Sequence, residues 1–169
     1  KIIDHKVYCF CGDGDLEEGI SYEACSLAGH MNLSNLVVIY DSNNITIEGD
    51  VTLALSENIE GRFVSQGWDV ISIDGHNFDE IDGAFKTAQK QTKPLLIIAN
   101  TKIAKGAATM EGSHHSHGAP LGVDEIVASK NNVGFPTESF SIPEDVLARF
   151  RSAIETGDFQ QREWNKLLT

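Results

Sequence analysis

Five consecutive apolar residues, Leu36-Val-Val-Ile-Tyr40, end at a cluster of turn-forming residues, Asp41-Ser-Asn-Asn44. A strand that is apolar on both faces is typical of a parallel sheet whose two faces are both covered. A similar apolar run over residues 7–11 stops at another turn, Gly12-Asp-Gly14. These two runs predict neighbouring buried strands and restrict the chain to folds built on a parallel sheet.

Further strands alternate with helices along the chain. Apolar spacing and capping residues predict helices over residues 16–31, 56–66 and 78–88, with Ser56 and Asn77 as caps, and strands over residues 70–73 and 95–99. No hairpin signature joins consecutive strands. We therefore predict an α/β fold, a doubly wound and mostly parallel sheet with helices on both faces.

The first predicted helix carries one apolar stripe, which we expect to be buried. Its members are Leu16, Ile20, Ala24, Leu27, Ala28 and Met31.

The pattern changes after Ile103. Residues 104–122 are rich in Gly, Ala, Ser and His and predict a long loop, and loops of this length are usually functional or disordered. A short helix is predicted over residues 124–132. Another begins at Ser141-Ile-Pro-Glu144 and is expected to end at Gly157. We assign residues 1–135 to the α/β domain and residues 136–169 to a helical tail.

Charge and hydropathy restrict the expected partners. The 169 residues suit one ordinary domain, and 25 Asp and Glu against 13 Lys and Arg give a net charge of −12. No basic stripe is available for a phosphate backbone, so we predict no nucleic-acid partner. There is no run of about 18 apolar residues, so we predict no membrane span.

Cysteine content and the chain start bear on localisation. Three cysteines, Cys9, Cys11 and Cys25, lie in apolar runs, which favours reduced, buried thiols in a cytoplasmic protein. The chain shows no secretory leader and does not begin with Met. We therefore expect a cytoplasmic protein that is a processed or excised piece of a longer one.

Oxygen-bearing side chains follow the first two predicted strands. Asp13 supplies a carboxylate, Asn43 an amide oxygen, and Ile45 a backbone carbonyl. Because parallel strands end at the same edge of a sheet, we expect these groups to lie close together. Three such ligands suit Mg²⁺ or Ca²⁺ when a diphosphate and water complete the shell, and Gly14 lets the backbone approach the diphosphate.

Two alternatives compete with this interpretation. For Gly12-Asp-Gly14 taken alone, the simpler hypothesis is a strand-to-helix turn in which Asp13 only caps the helix. The imidazoles of His114, His115 and His117 also suggest a transition-metal site. No thiolate or carboxylate is placed to complete that tetrahedron, which favours solvated loop residues at His114 and His115.

The longest motif is CGDGDLEEGISYEACSLAGHMNLSNLVVIYDSNNITIEGD, residues 11–50. It resembles the thiamine diphosphate signature of transketolases, in which Gly-Asp-Gly, a helix and a strand ending in Asn-Asn follow one another. The resemblance continues through SENIEGRFVSQGWDVISIDGH and GSHHSHGAPLG and fades after about Phe135. It covers about four-fifths of the chain and implies the thiamine diphosphate-binding fold.

The resemblance implies roles for particular residues. The metal ligands fall on Asp13, Asn43 and the carbonyl of Ile45, with Mg²⁺ as the metal and Ca²⁺ or Mn²⁺ able to substitute. The other predicted cofactor-binding residues are Gly12, Gly14, Glu18 and His117. Among these, Glu18 matches a glutamate near the subunit interface of the family's dimer. His117 matches a histidine that reaches both diphosphate and substrate, which makes it the predicted catalytic residue.

The implied activity is a transferase reaction of the pentose phosphate pathway. Thiamine diphosphate serves as a carbanion source, and a two-carbon glycolaldehyde unit passes from a ketose phosphate to an aldose phosphate. The glutamate that activates the cofactor lies in a pyrimidine-binding domain, which no segment here resembles. We therefore expect a fragment of a longer homodimeric enzyme, or a subunit completed by another chain, that is inactive alone.

Two alternative functions are compatible with these motifs. One is a stand-alone module that binds Mg²⁺ and a diphosphate without turnover. The other is a related thiamine enzyme of the dihydroxyacetone synthase or deoxyxylulose phosphate synthase type.

Overall fold

A computed structural model describes residues 2, 4–47 and 49–168 of the chain. Glu48, which belongs to the long motif, lies outside the described residues, as do Lys1, Ile3 and Thr169. The elements in chain order are β1 (Val7–Cys11), α1 (Asp13–Glu17), α2 (Gly19–His30), β2 (Leu36–Ser42), β3 (Ile45–Thr46), β4 (Gly49–Asp50), α3 (Ile59–Ser65), β5 (Asp69–Asp74), α4 (Phe78–Ala88), β6 (Leu95–Asn100), α5 (Val123–Asn132) and α6 (Glu144–Leu168).

Four strands form one parallel sheet in the order β1-β2-β6-β5. Strand β2 pairs with β1 from Leu36 opposite Val7 to Tyr40 opposite Cys11. On its other side it pairs with β6, whose second neighbour is β5. The apolar strand of the sequence is therefore central in the sheet, as its two apolar faces require.

Side chains alternate between two apolar clusters on opposite faces of the sheet. On one face, Val38, Tyr40 and Leu96 pack with residues of α1, α2 and the α3 region, including the fully buried Phe63. On the other face, residues of β2 and β6 pack with α4. Helices on both faces of a parallel sheet confirm the predicted α/β class.

The predicted helix over residues 16–31 is in fact two helices. Glu18 adopts an extended conformation, with φ −69° and ψ 136°, and separates α1 from α2. Because the apolar spacing continues across Glu18, the sequence pattern does not indicate the break. The hydroxyl of Ser21 donates to the carbonyl of Asp15, so the break is satisfied by hydrogen bonding across it.

The buried stripe predicted on this segment is largely wrong. Leu16 and Ala28 are buried, but Ile20 is 70% exposed, and Leu27 and Met31 are also exposed. A 3.6-residue period identifies an apolar face without showing what covers it. Within the described residues this face of α2 remains open to solvent.

Other helix limits also differ from the predictions. Asn58, not Ser56, caps α3, since its side chain accepts from the amide of Gly61. Helix α6 runs through Gly157 to Leu168 instead of ending there. An exposed glycine costs a helix only about 1 kcal/mol, which the hydrogen bonds of a long helix outweigh. Asn77 caps α4 as predicted, and α5 begins one residue before the helix predicted over residues 124–132.

Two further features differ from expectation. Strands β3 and β4 form a small antiparallel pair, which no turn motif in the sequence predicted. The cysteines are free, but Cys9 is exposed, and Cys11 and Cys25 are only half-buried, so their predicted full burial is wrong.

No helix of the described residues is both long and apolar enough to cross a membrane.

Candidate metal and diphosphate site

The carboxyl ends of β1 and β2 lie side by side and open into one cavity. Because the two strands are parallel neighbours, the turn after Cys11 and the turn after Ser42 meet at the same edge of the sheet. The cavity has a volume of about 860 Å³. All seven predicted site residues line it: Gly12, Asp13, Gly14, Glu18, Asn43, Ile45 and His117.

Asp13 is the only polar or charged residue among the described ones that is fully buried, at 3% exposure. The hydroxyl of Tyr40 donates a hydrogen bond to its Oδ1, while its Oδ2 is buried without a hydrogen-bond partner. Burial raises the pKa of this carboxyl above its ordinary value, against smaller opposing effects of Tyr40 and the nearby backbone amides of Asn43 and Asn44. A buried carboxylate oxygen without a partner is costly unless a cation compensates it.

The turn before α1 argues against a capping role for Asp13. Gly12 precedes the helix, and its amide donates to Asp15 Oδ2 at 2.8 Å. The carboxylate that caps this helix end is therefore that of Asp15, and Asp13 is the first helical residue. The alternative in which Asp13 only caps the helix is wrong.

The turn after β2 holds Asn43 in a fixed orientation. Its Oδ1 accepts from the amide of Ile45 at 2.9 Å, and its Nδ2 donates to Asp41 Oδ2 at 3.2 Å. An amide oxygen has two lone pairs, so Oδ1 retains capacity for a further ligand. Between Asn43 and Ile45, Asn44 adopts a left-handed backbone conformation with φ 61°, which asparagine tolerates.

The cavity wall is strongly acidic. Of the described residues that line it, none is Lys or Arg, and five carry carboxylates: Asp13, Asp15, Glu17, Glu18 and Asp41. An anionic ligand alone would be repelled by this wall. A divalent cation would reverse the local field, so the charge distribution suits a metal–diphosphate pair better than a free diphosphate.

His117 reaches the cavity from the long loop over residues 104–122. The loop is ordered by carboxylates: Glu125 accepts from the amide and hydroxyl of Thr109 at 2.7 and 2.8 Å and from the amide of Met110 at 3.2 Å. Glu111 accepts from the amide of Gly106 at 2.9 Å. His117 itself is exposed, and its amide donates to the carbonyl of His114 at 3.0 Å.

The alternative histidine metal site is not supported. The rings of His114 and His115 lie tilted against each other with centroids 4.1 Å apart, and both residues are exposed. Across the described residues, no three His, Cys, Asp or Glu side chains converge to hold a metal ion. The predicted site differs in kind, because it has one carboxylate and takes its other oxygens from an amide and a carbonyl.

Three residues at the site were not predicted: Tyr40, Asp15 and Asp41. In the sequence, Tyr40 is only the last residue of an apolar strand. Its hydroxyl was the available signal, because a buried phenol almost always hydrogen-bonds to a partner. Asp41 was assigned to a turn, but β2 continues to Ser42 and carries it to the cavity rim.

Comparison with known proteins identifies the class. Residues 1–169 match the family described as transketolase, thiamine diphosphate binding domain. The chain is 43% identical over 170 residues to a transketolase of Halalkalibacterium halodurans, an alignment that covers 99% of this chain and 26% of that protein. It is 42% identical to a transketolase of Bacillus subtilis, covering 98% of this chain and 25% of that one.

Solved structures agree. A transketolase from Campylobacter jejuni superposes with a TM-score of 0.93 at 58% identity, over 98% of this chain and 26% of that chain. One from Leishmania mexicana gives 0.91 at 37% identity, over 99% of this chain and 25% of that chain. The chain belongs to the transketolase family, and it spans about a quarter of the length of these relatives.

Proposed function

We propose that this chain supplies the diphosphate- and metal-holding part of the thiamine diphosphate site of a transketolase. The complete enzyme would transfer a two-carbon glycolaldehyde unit from a ketose phosphate to an aldose phosphate in the pentose phosphate pathway. Membership of the family supports the cofactor. A relative from Pichia stipitis, 39% identical with a TM-score of 0.90 over 98% of this chain and 25% of that one, was solved in complex with the ketose phosphate sedoheptulose-7-phosphate.

One observation carries the proposal: the buried and unpartnered Oδ2 of Asp13 beside the cavity. Together with Asn43 Oδ1 and the carbonyl of Ile45, it offers oxygen ligands of low total charge. Hard cations such as Mg²⁺ favour this donor set and keep several positions for phosphate oxygens and water. The residues present therefore fit Mg²⁺, with Ca²⁺ or Mn²⁺ as substitutes.

Two further residues would contact the cofactor or substrate. Gly14 is exposed, and apart from its chain neighbours and its own helix backbone no atom lies within 4 Å of the position where a Cβ would stand, so a diphosphate can approach its backbone. His117 can donate a hydrogen bond from its exposed ring to a diphosphate or a sugar hydroxyl. Once bound, thiamine diphosphate supplies the stabilised carbanion that the transfer requires.

The proposal includes a partner. The pyrimidine-binding part of the site would come from another segment of the same protein or from another chain, and the working enzyme would be a homodimer. The open apolar face of α2, with Ile20, Leu27 and Met31 exposed, supports contact with such a partner. Glu18 lies at the start of that helix and would stand near the interface. The isolated chain is accordingly expected to bind but not to turn over.

Calorimetry with thiamine diphosphate and Mg²⁺ tests the binding part of the proposal. The chain is expected to bind the cofactor saturably, with affinity that disappears when EDTA removes the metal. The matched variant Asp13→Asn keeps the shape of the side chain and removes its charge. Equal affinity of the two proteins would contradict the site assignment.

An activity assay separates the functional alternatives. The chain is incubated with cofactor, Mg²⁺, xylulose 5-phosphate and ribose 5-phosphate, and glyceraldehyde 3-phosphate is measured. We expect none from the chain alone and formation after addition of the remaining segments of a related transketolase. Turnover by the chain alone would refute the need for a partner. Binding without turnover in both mixtures would favour the stand-alone binding module. Activity restricted to other acceptors would favour a related thiamine enzyme.

A further inference from the structure

Helix α1 is too short to hold its own position. It has five residues, begins at Asp13 and ends at Glu17, and so short a segment is unstable without outside contacts. Its last carbonyl groups also lack partners within the helix. Leu16 anchors the helix in the apolar core at 3% exposure. The carbonyl of Leu16 accepts a hydrogen bond from Arg62 Nη1 at 3.1 Å.

Arg62 is itself held by several contacts, although its Nε is buried without a hydrogen-bond partner. Its side chain is only 7% exposed, and its Nη1 lies 3.2 Å from Glu57 Oε2. Its guanidinium stacks 4.0 Å from the centroid of the Tyr22 ring. The hydroxyl of Tyr22 donates to the same Glu57 oxygen at 2.7 Å. The guanidinium of α3 therefore ties together the end of α1, the first turns of α2 and the segment before α3.

Arg62 acts at a distance of one helical turn from the candidate site. It does not line the cavity, whereas Asp13, Gly14 and Glu18 do. Asp13 and Leu16 are three residues apart, which is just under one turn of α-helix and a rise of about 4.5 Å. A contact that fixes the carbonyl of Leu16 therefore also fixes Asp13, at the start of the same turn. Helix α2 cannot hold Asp13 in place through continuous helical hydrogen bonds, because the helix is broken at Glu18.

We infer that Arg62 is a positioning residue that holds α1, and through it Asp13 and Gly14, in the geometry needed for the metal and diphosphate. This inference rests on the proposed function. The role requires a guanidinium, because one planar group must both donate to a carbonyl and carboxylate and stack on an aromatic ring, which an ammonium does poorly.

The test compares Arg62→Ala and Arg62→Lys in the full chain with Arg149→Ala, which removes an exposed arginine from α6. Hydrogen exchange measured by mass spectrometry reports the protection of residues 13–18 without any ligand. Calorimetry gives the affinity for thiamine diphosphate with Mg²⁺. Methylguanidinium is then added to Arg62→Ala, at a concentration that leaves the wild-type melting temperature unchanged, to replace the missing group.

For Arg62→Ala we expect faster exchange concentrated in residues 13–18 and about a tenfold loss of affinity. We also expect methylguanidinium to recover at least half of the protection and of the affinity. Arg62→Lys should lose about threefold in affinity, and Arg149→Ala should match wild type in both protection and affinity. A merely structural role would give uniform loss of protection and no recovery by methylguanidinium, and this would overturn the inference.

Two further outcomes are decisive. If wild type binds and Arg62→Ala binds equally well, the positioning role fails while the proposed function stands. If wild type itself does not bind, the proposed function fails and the inference fails with it. If circular dichroism shows that Arg62→Ala is unfolded, the test depends on Arg62→Lys. Hydrogen exchange and affinity of Arg62→Lys equal to those of wild type would then overturn the inference.

Discussion

The hydroxyl of Tyr40, at the end of β2, donates to Oδ1 of Asp13, the first residue of α1, and leaves Oδ2 buried and unpartnered. One oxygen of the carboxylate is thereby oriented by the protein, and the other is left without a partner in a residue that lines the cavity. Hydrogen bonding by a second residue is a common means of orienting a metal ligand. The pair explains how two adjacent parallel strands create the group that we propose as a metal ligand.

Asp13→Asn should bind thiamine diphosphate and Mg²⁺ roughly 100-fold or more weakly, because the only predicted anionic ligand is lost. The same change should raise the melting temperature of the metal-free chain. Burial raises the pKa of folded Asp13, so its ionised form opposes folding above that pKa. Calorimetry and differential scanning calorimetry measure the two effects.

The pH dependence provides a check on this stabilisation. The difference in melting temperature between metal-free Asp13→Asn and metal-free wild type should be largest at neutral pH. It should close below the ordinary pKa of 3.8, where the carboxyl is protonated in both folded and unfolded chains. A lower melting temperature of the variant at pH 7 without metal would mean that the buried oxygen has a partner in solution.

His117→Ala should weaken cofactor binding about tenfold while leaving the melting temperature within about 1 °C of wild type. The side chain is exposed, so its removal leaves no cavity, and exposed substitutions usually change stability by less than about 0.5 kcal/mol. His115→Ala is the matched control, since it is exposed on the same loop but does not line the cavity. Equal losses in both variants would assign the effect to the loop and not to the His117 ring.

Glu111 should titrate well below an ordinary glutamate. The hydrogen bond from the amide of Gly106, followed by contacts with Lys102 and Lys105, lowers its pKa from 4.5 to about 2. A lowered folded pKa means that this group stabilises the loop above pH 4.5 and that the contribution disappears as pH falls toward 2. The amide of Gly106, followed by NMR, should report a midpoint near 2.

The Glu111→Gln variant supplies the control for this titration. The Gly106 amide should lose its low-pH transition, because no carboxylate remains to accept from it. A midpoint above 4 in wild type would show that the loop contacts are not maintained in solution.

Gly29→Ala should destabilise the fold by about 1–3 kcal/mol or more through overpacking. A Cβ at this position of α2 would stand 1.8 Å from the carbonyl oxygen of Gln66 and 3.2 Å from Trp68 Cδ1. Gly83→Ala in α4 is the matched helical control. Apart from its chain neighbours and its own helix backbone, no atom lies within 4 Å of a Cβ at this position, and the change should stabilise the fold by about 0.5–1 kcal/mol. Urea unfolding measures both, and destabilisation by the two alike would exclude close packing as the cause.

Local patterns predicted much of the fold correctly. The apolar runs at residues 7–11 and 36–40 became adjacent parallel strands, and the polar residues after them met in one cavity. Asn77 caps α4 as its side chain suggested. These features depend on strand period, capping and turn chemistry, which act over a few residues and can be seen in a sequence.

Other features could not be predicted in that way. The apolar period from Leu16 to Met31 ran across a helix break at Glu18, and most of the stripe proved exposed. The period records that a face is apolar, but the packing of that face depends on which elements lie opposite it. Gly157 shows the converse, since a residue that commonly ends helices lies within a continuous one.

The sequence by itself determined the α/β class, the two strand-end turns and the identity of the residues at their tips, because hydrophobic patterning and turn propensity are local. Only the tertiary structure decided which groups act on one another. Tyr40 reaches Asp13 across 27 residues, and Arg62 reaches Leu16 across 46. Such contacts depend on the side-by-side pairing of β1 with β2 and on the packing of α3 against α1 and α2. Pairing and packing are settled by the free energy of the whole core and not by any single segment.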